Sequence, residues 1–198
     1  MENTLTVDQR REAFVRGLYG LHYAVTSDNP RRSGEARQTL ARLRRSFVGG
    51  RQQAEAYDVV FPYQPPEREQ ELWLLVAGLF ALHPHGDTAR NRSLGTAMRD
   101  LVAGRPSAAR RFTQLLSVDL DGLPHYLRQT VQLLRAGDIA LDYHRLLTDL
   151  VTMQGPGQAA QKIRLGWARD YHRPQRTHQP TTAETEPTDL TVAEPADA

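Results

Sequence analysis

The chain has no cysteine, which excludes a disulfide framework, thiolate metal sites and cysteine catalysis, and fits a cytoplasmic protein. Lysine is nearly missing as well. Lys162 is the single lysine among 25 basic side chains, and the other 24 are arginine. The most apolar run, Leu72 to Leu82, is eleven residues long, about half of the ~20 that a membrane-spanning helix needs. The opening "MENTLTVDQRREAF" lacks the apolar stretch of a signal peptide. No segment alternates with a period of two, so nothing reads as a strand. There is no Gly-rich phosphate loop, no HExxH pair and no nucleophile elbow. The histidines are scattered (His22, His83, His85, His125, His144, His172, His178). A non-catalytic protein without cofactor or metal is expected.

What is present is helical periodicity, and a length of 198 residues that allows one domain or two small ones. Phe14, Leu18, Leu21 and Val25 recur on one face of a first helix from Val7 to about Thr26, capped by Thr6. "GEARQTLARLRRSF" reads as a second, with Ser33 as its cap and Ala36, Leu40, Leu43 and Phe47 as its stripe. A short helix around Ala54–Val60 follows. Pro66 suits the first turn of the next, which runs to His83 and stops at Pro84. Being apolar on most faces, this helix belongs at the centre of a bundle. His83 and His85 lie at i, i+2 across a proline, unlike the i, i+4 pair that puts two ligands on one face.

Further helices are expected over Leu94–Ala103, from a Ser107 cap through Leu116, over Gly122–Ala136, over Asp142–Met153 and over Gln158–His172. "HGDTARNR" is the natural boundary between an N-terminal bundle (1–92) and a C-terminal one (93–173). The fold class is therefore all-α, two small helical bundles. Residues 174–198, rich in Pro, Thr and acid, bury too little to repay ordering and form a disordered tail.

Charge is distributed unevenly. Residues 1–176 hold every basic side chain and a net charge of +7, while Glu184, Glu186, Asp189, Glu194 and Asp197 follow with no cation among them. A basic body points to a polyanionic partner. Arginines recur in pairs beside apolar stripes: Arg31–Arg32, Arg44–Arg45 and Arg110–Arg111, with Arg128 and Arg135 seven apart on one outer face. Guanidinium groups hold phosphates bidentately, and such contacts position a strand without reading its bases. Asp142 and Asp149, also seven apart, read as a solvated helix face.

The pieces "LRRS" (43–46), "LVAGLFALHP" (75–84), "SLGTAMRDL" (93–101), "ARRFTQLL" (109–116), "LRQTVQLL" (127–134), "LDYHRLLTDL" (141–150) and "WARDYH" (167–172) occur in an order that resembles the CasB family, the small subunit of the type I-E CRISPR Cascade complex. The resemblance runs to about Arg173 and says nothing about the tail. It implies an all-α, non-catalytic protein of the cytoplasm. Its implied partners are the backbone and large subunits of Cascade, a second copy of itself, guide RNA and single-stranded or target DNA of the R-loop. Carried over by position, it implies nucleic-acid contacts at Arg44, Arg45, Arg110, Arg111 and Arg128, and more loosely at Arg31, Arg32, Arg90 and Arg92, which are expected in loops.

Three other readings stand beside it. A helical transcription regulator would need a compact helix–turn–helix with base-reading polar residues, and none is found. A phosphate-handling enzyme would use Asp142 and Asp149. A structural adaptor would turn the same arginines towards protein carboxylates.

Overall fold

The computed structural model describes residues 5–47, 53–86 and 91–174, and among these there is helix and no strand. Helix α1 (Val7–Ala24) starts at a capping box. The Thr6 hydroxyl accepts from the Gln9 amide, and the Gln9 side chain accepts from the Thr6 amide. Helix α2 (Pro30–Arg45) begins four residues before "GEARQTL" because Asn29 caps it, accepting from the amides of Arg31 and Arg32, while Pro30 takes the first position. Ser33 is therefore a buried helical residue, not the cap, and Arg31 and Arg32 stand in the first turn of α2, not in a loop. After the short α3 (Tyr57–Val60) and two 3-10 turns comes α4 (Gln70–Leu82).

Nine of the thirteen residues of α4 are buried, with Trp73, Val76, Ala77, Leu79 and Phe80 fully so. This helix packs against α2, α7 (Leu123–Ala136) and α8 (Tyr143–Met153), as its all-round apolar sequence requires. The remaining helices are α5 (Leu94–Gly104), α6 (Ala109–Ser117) and α9 (Ala159–His172). Ser93 caps α5. Helix α6 has no side-chain cap: the 3-10 turn Pro106–Ala108 leads straight into it, so Ser107 does not serve there. Asp142 is the cap of α8, not part of its face.

One hydrophobic cluster joins both groups of helices, running from Phe14 on α1 through α4 to Trp167 on α9. Helices α5 and α9 approach so closely that a Cβ at Gly95 would stand 2.0 Å from the carbonyl oxygen of Trp167. Two buried ionic joints tie helices together. Glu69, fully buried, takes Arg11 of α1 in a two-pronged pair (3.0 and 2.7 Å) and the Trp73 indole N–H (3.2 Å). Asp149 of α8 takes the indole N–H of Trp167 (2.7 Å) and Arg145 (3.2 Å). Asp149 is thus a buried strut, not a solvated face.

The His-Pro-His stretch closes the end of α4. The buried His83 donates from Nε2 to the Ile139 carbonyl (2.8 Å), and His85 Nδ1 meets Asp138 (2.9 Å). The Leu141 amide donates to the His85 carbonyl (3.1 Å), and the Tyr143 hydroxyl to the His83 carbonyl (2.5 Å). Both imidazoles are engaged in clamping the α7–α8 connection. No helix among the described residues is long and apolar enough to cross a membrane. Arg90 and nearly all of the acidic tail lie outside the described residues.

Candidate nucleic-acid interface

The arginine pairs stand on faces their helices do not bury. On α2, Ala36, Leu40 and Leu43 face the core, and Arg44 and Arg45 are exposed at the helix end. Arg45 reaches Glu55 at 3.6 Å with both side chains largely in solvent, a contact worth little in water. On α6, Phe112 and Leu115 are buried, and Arg110 and Arg111 are exposed in the first turn. That turn holds no acidic residue. The 3-10 turn already engages the Ala109 amide through the Pro106 carbonyl, so the positive character of this turn comes from the two guanidinium groups.

Two cross-helix contacts draw these positions towards one another. The guanidinium of Arg128 on α7 lies 5.0 Å from the centroid of the Phe47 ring, two residues after Arg45. Arg111 donates to the Gln129 side chain (2.6 Å), the neighbour of Arg128. Phe47 itself is seated against α4, where a Cβ at Gly78 would come within 2.7 Å of the ring. The arginines of α2, α6 and α7 therefore surround a common anchor, α7. Arg128 is only partly exposed, so it does not share an open face with the exposed Arg135.

The other expected positions stand apart. Arg31 and Arg32 lie at the far end of α2, about 21 Å from Arg45 at the rise of a helix. Arg31 pairs with Glu35 at 3.0 Å. Arg92 is paired with Asp100, which also takes Arg99 at 2.9 Å, so its charge is largely answered inside the protein. Phe47, Gly78 and Gln129 escaped the reading of the sequence as site residues. Phe47 had a visible signal, as the last member of the α2 stripe. The other two matter only through contacts between helices.

The groups expected for other chemistries do not converge. Burial raises the Asp149 carboxyl above the usual carboxylate range, while its bonds from Trp167 and Arg145 act the other way. Burial lowers the His83 imidazole, against the pull of its bond to Ile139. Among the described residues no three metal-ligating side chains gather. An open groove of about 690 Å³ runs beside Phe47, floored by Leu72, Leu74 and Leu75 with Glu71 and Asp121 at its rim. Its lining includes these two acids and no Lys or Arg.

Comparison with known proteins bears on the family and the fold. The family described as CRISPR-associated protein Cse2 matches residues 39–172. A CRISPR-associated protein Cse2 from Thermus thermophilus is 34% identical over 125 residues, covering 59% of this chain and 70% of that protein. The crystal structure of a Cse2-family protein from Thermus thermophilus aligns with a TM-score of 0.64 at 27% identity, over 81% of this chain and 96% of the other. CasB from Thermobifida fusca aligns with a TM-score of 0.62 at 27% identity, over 86% and 100%. A chain of a CRISPR RNA-guided surveillance complex shares the fold, with a TM-score of 0.62 at 23% identity over 84% and 93%.

Proposed function

Because the chain belongs to the CRISPR-associated Cse2 family, we propose that it is the non-catalytic small subunit of a type I-E RNA-guided effector complex, and that its arginine surface holds nucleic-acid backbone to stabilise the R-loop and the displaced DNA strand. The family match supports the subunit role. The observation that carries the second part is the exposed Arg110–Arg111 pair at the uncapped, acid-free start of α6, joined through Gln129 to Arg128 and so to the Arg44–Arg45 end of α2.

Opening a duplex against a guide is a near-balanced exchange, which protein–backbone contacts tip towards the open form. Contacts of this kind need no base readout, because pairing with the guide carries the sequence information. They also need no catalytic group. The acids that a metal-dependent phosphoryl-transfer enzyme would require are Asp142, which caps α8, and Asp149, which supports Trp167. Arg44, Arg45, Arg110 and Arg111 are the principal contacts in this reading. Arg128 is an oriented support over Phe47, and Arg31, Arg32 and Arg92 are peripheral. The partners are the other effector subunits, a second copy of the chain, guide RNA and target DNA.

The test uses assembled complexes in which Arg110→Ala/Arg111→Ala or Arg44→Ala/Arg45→Ala replaces the parent. Subunit incorporation is measured first, then target-duplex affinity over a salt series. The expected result is normal incorporation, weaker target binding and unchanged pairing rules. For two lost single-strand phosphate contacts, the slope of log K against log salt flattens by about 1.4. Unchanged affinity and slope would overturn the assignment. Failed incorporation would favour the adaptor reading, with the arginines meeting protein carboxylates.

A further inference from the structure

The acidic segment after Arg176 is not covered by the family match, which stops at residue 172. Its root is well defined. The Tyr171 ring packs on Phe112 with centroids 4.7 Å apart, and the Arg99 guanidinium donates to the Arg173 carbonyl (3.3 Å). Phe112 directly follows Arg110 and Arg111. The last helix therefore delivers the chain beside α6, on the side from which Phe112 projects.

Charge selects where such a segment would settle. Of the cations around the root, Arg99 meets Asp100 (2.9 Å) and Arg173 meets Asp170 (3.5 Å), while the exposed Arg169 on the last helix, like the α6 pair, meets no carboxylate among the described residues. Among the described residues neither Arg110 nor Arg111 is in an ion pair. Five acids follow Arg176 without a cation among them, the first of them Glu184, eleven residues beyond Arg173. Chain statistics give eleven residues a reach of about 18 Å root-mean-square. A tether of this length presents its charges at an effective concentration on the order of millimolar.

We propose that the acidic segment 177–198 docks on the Arg110–Arg111 surface and competes there with nucleic-acid backbone, so that a strand binds by displacing it. The competition rests on the proposed nucleic-acid role of that pair; the docking itself does not. A multivalent polyanion that neutralises more charge displaces the segment, while a short or weakly held strand does not. The surface is thereby biased towards extended nucleic acid.

Two readouts separate the two ideas. The chain has no cysteine, so Thr113→Cys on the exposed side of α6 and Thr191→Cys in the acidic segment give a defined pair of labels for energy transfer in the full-length protein. Transfer is expected to be high at low salt. It should fall at high salt, on neutralising all five acids (Glu184→Gln, Glu186→Gln, Asp189→Asn, Glu194→Gln, Asp197→Asn), and in Arg110→Ala/Arg111→Ala. The neutralised chain should also bind single-stranded oligo-dT roughly two- to fivefold tighter at low salt, with the gain lost at high salt, as expected of an electrostatic competitor. Transfer that ignores neutralisation, or that persists after the arginines are removed, would overturn docking at this site. Responsive transfer with oligo-dT affinity unchanged by neutralisation would overturn the competition. Responsive transfer with no strand binding by any variant would instead remove the nucleic-acid role and leave the docking in place.

Discussion

Arg10–Arg11 and Arg110–Arg111 are both consecutive arginines in the early turns of a helix, and their surroundings are opposite. Arg11 is 11% exposed and clamps the fully buried Glu69, with Asp8 at 2.5 Å on its other side. Arg10 is spent on the Gln64 carbonyl. Arg110 and Arg111 project into solvent from a helix start that has neither an acid nor a cap. A cation near a helix N-terminus opposes the helix dipole unless an anion answers it. Asp8 and Glu69 answer it on α1. On α6 no carboxylate of the described protein does. The first pair is consumed in holding parts of the fold together, and the second meets no carboxylate among the described residues.

The comparison can be broken most forcefully at Glu69. Glu69→Ala strands the Arg11 charge and the Trp73 N–H in the interior, and should cost roughly 3–5 kcal/mol in chemical denaturation. Replacing both partners by apolar residues, Arg11→Met with Glu69→Leu, should recover much of that loss, because the penalty lies in the unpaired charge. A single variant as stable as the parent would show that the joint is not buried in solution.

Leu79→Ala probes the same core without charge. Leu79 is fully buried on α4, and its truncation should cost about 2–5 kcal/mol through lost burial and a cavity. Because α4 packs on helices of both groups, the loss should appear as one cooperative transition. Two separated transitions would show that the groups melt independently and would support the boundary near residue 92 as a division between folding units.

A smaller effect is expected from His83. Burial holds its pKa below the usual 6.5, so the folded state favours the neutral ring that donates to Ile139. Stability is then full above the unfolded value. It falls as pH drops below 6.5, where the unfolded chain takes up a proton that the folded chain refuses, and it levels off below the lowered folded pKa. The thermal midpoint should decline over that window, and His83→Asn should flatten the decline. A profile identical in parent and variant would assign the pH dependence to other groups. Asp149, with a raised pKa, acts in the opposite sense and loses stability as pH rises through its window.

The smallest change in stability belongs to the second arginine pair. Arg110→Ala/Arg111→Ala should shift folding by no more than about 0.5 kcal/mol, as surface substitutions do, while the salt dependence of strand binding changes. A large loss of stability would mean that the Arg111–Gln129 contact holds α6 to α7, and the contrast with Arg11 would disappear.

Much of this molecule is legible in its periodicity. The nine α-helices among the described residues follow the apolar stripes, most within a residue or two of the expected ends. The exceptions have local causes. Asn29 and Pro30 start α2 early. A 3-10 turn replaces the expected Ser107 cap, and another occupies the turn after Pro66, so that α4 begins at Gln70. The arginine pairs were legible as pairs, and their exposure follows from stripes that are complete without them.

The sequence by itself determined the helical class, the central place of α4, the excess of arginine on the body and the acidity of the segment after Arg176, since these depend on spacing along one chain or on composition alone. Tertiary structure alone decided which charges are spent. Arg11 finds Glu69 across 58 residues, Trp167 finds Asp149 across 18, and Arg128 settles over a Phe47 that Gly78 leaves room for. Periodicity is a property of neighbours three and four residues apart. The value of a charge depends on its burial and its partner, and both are created only when distant helices meet.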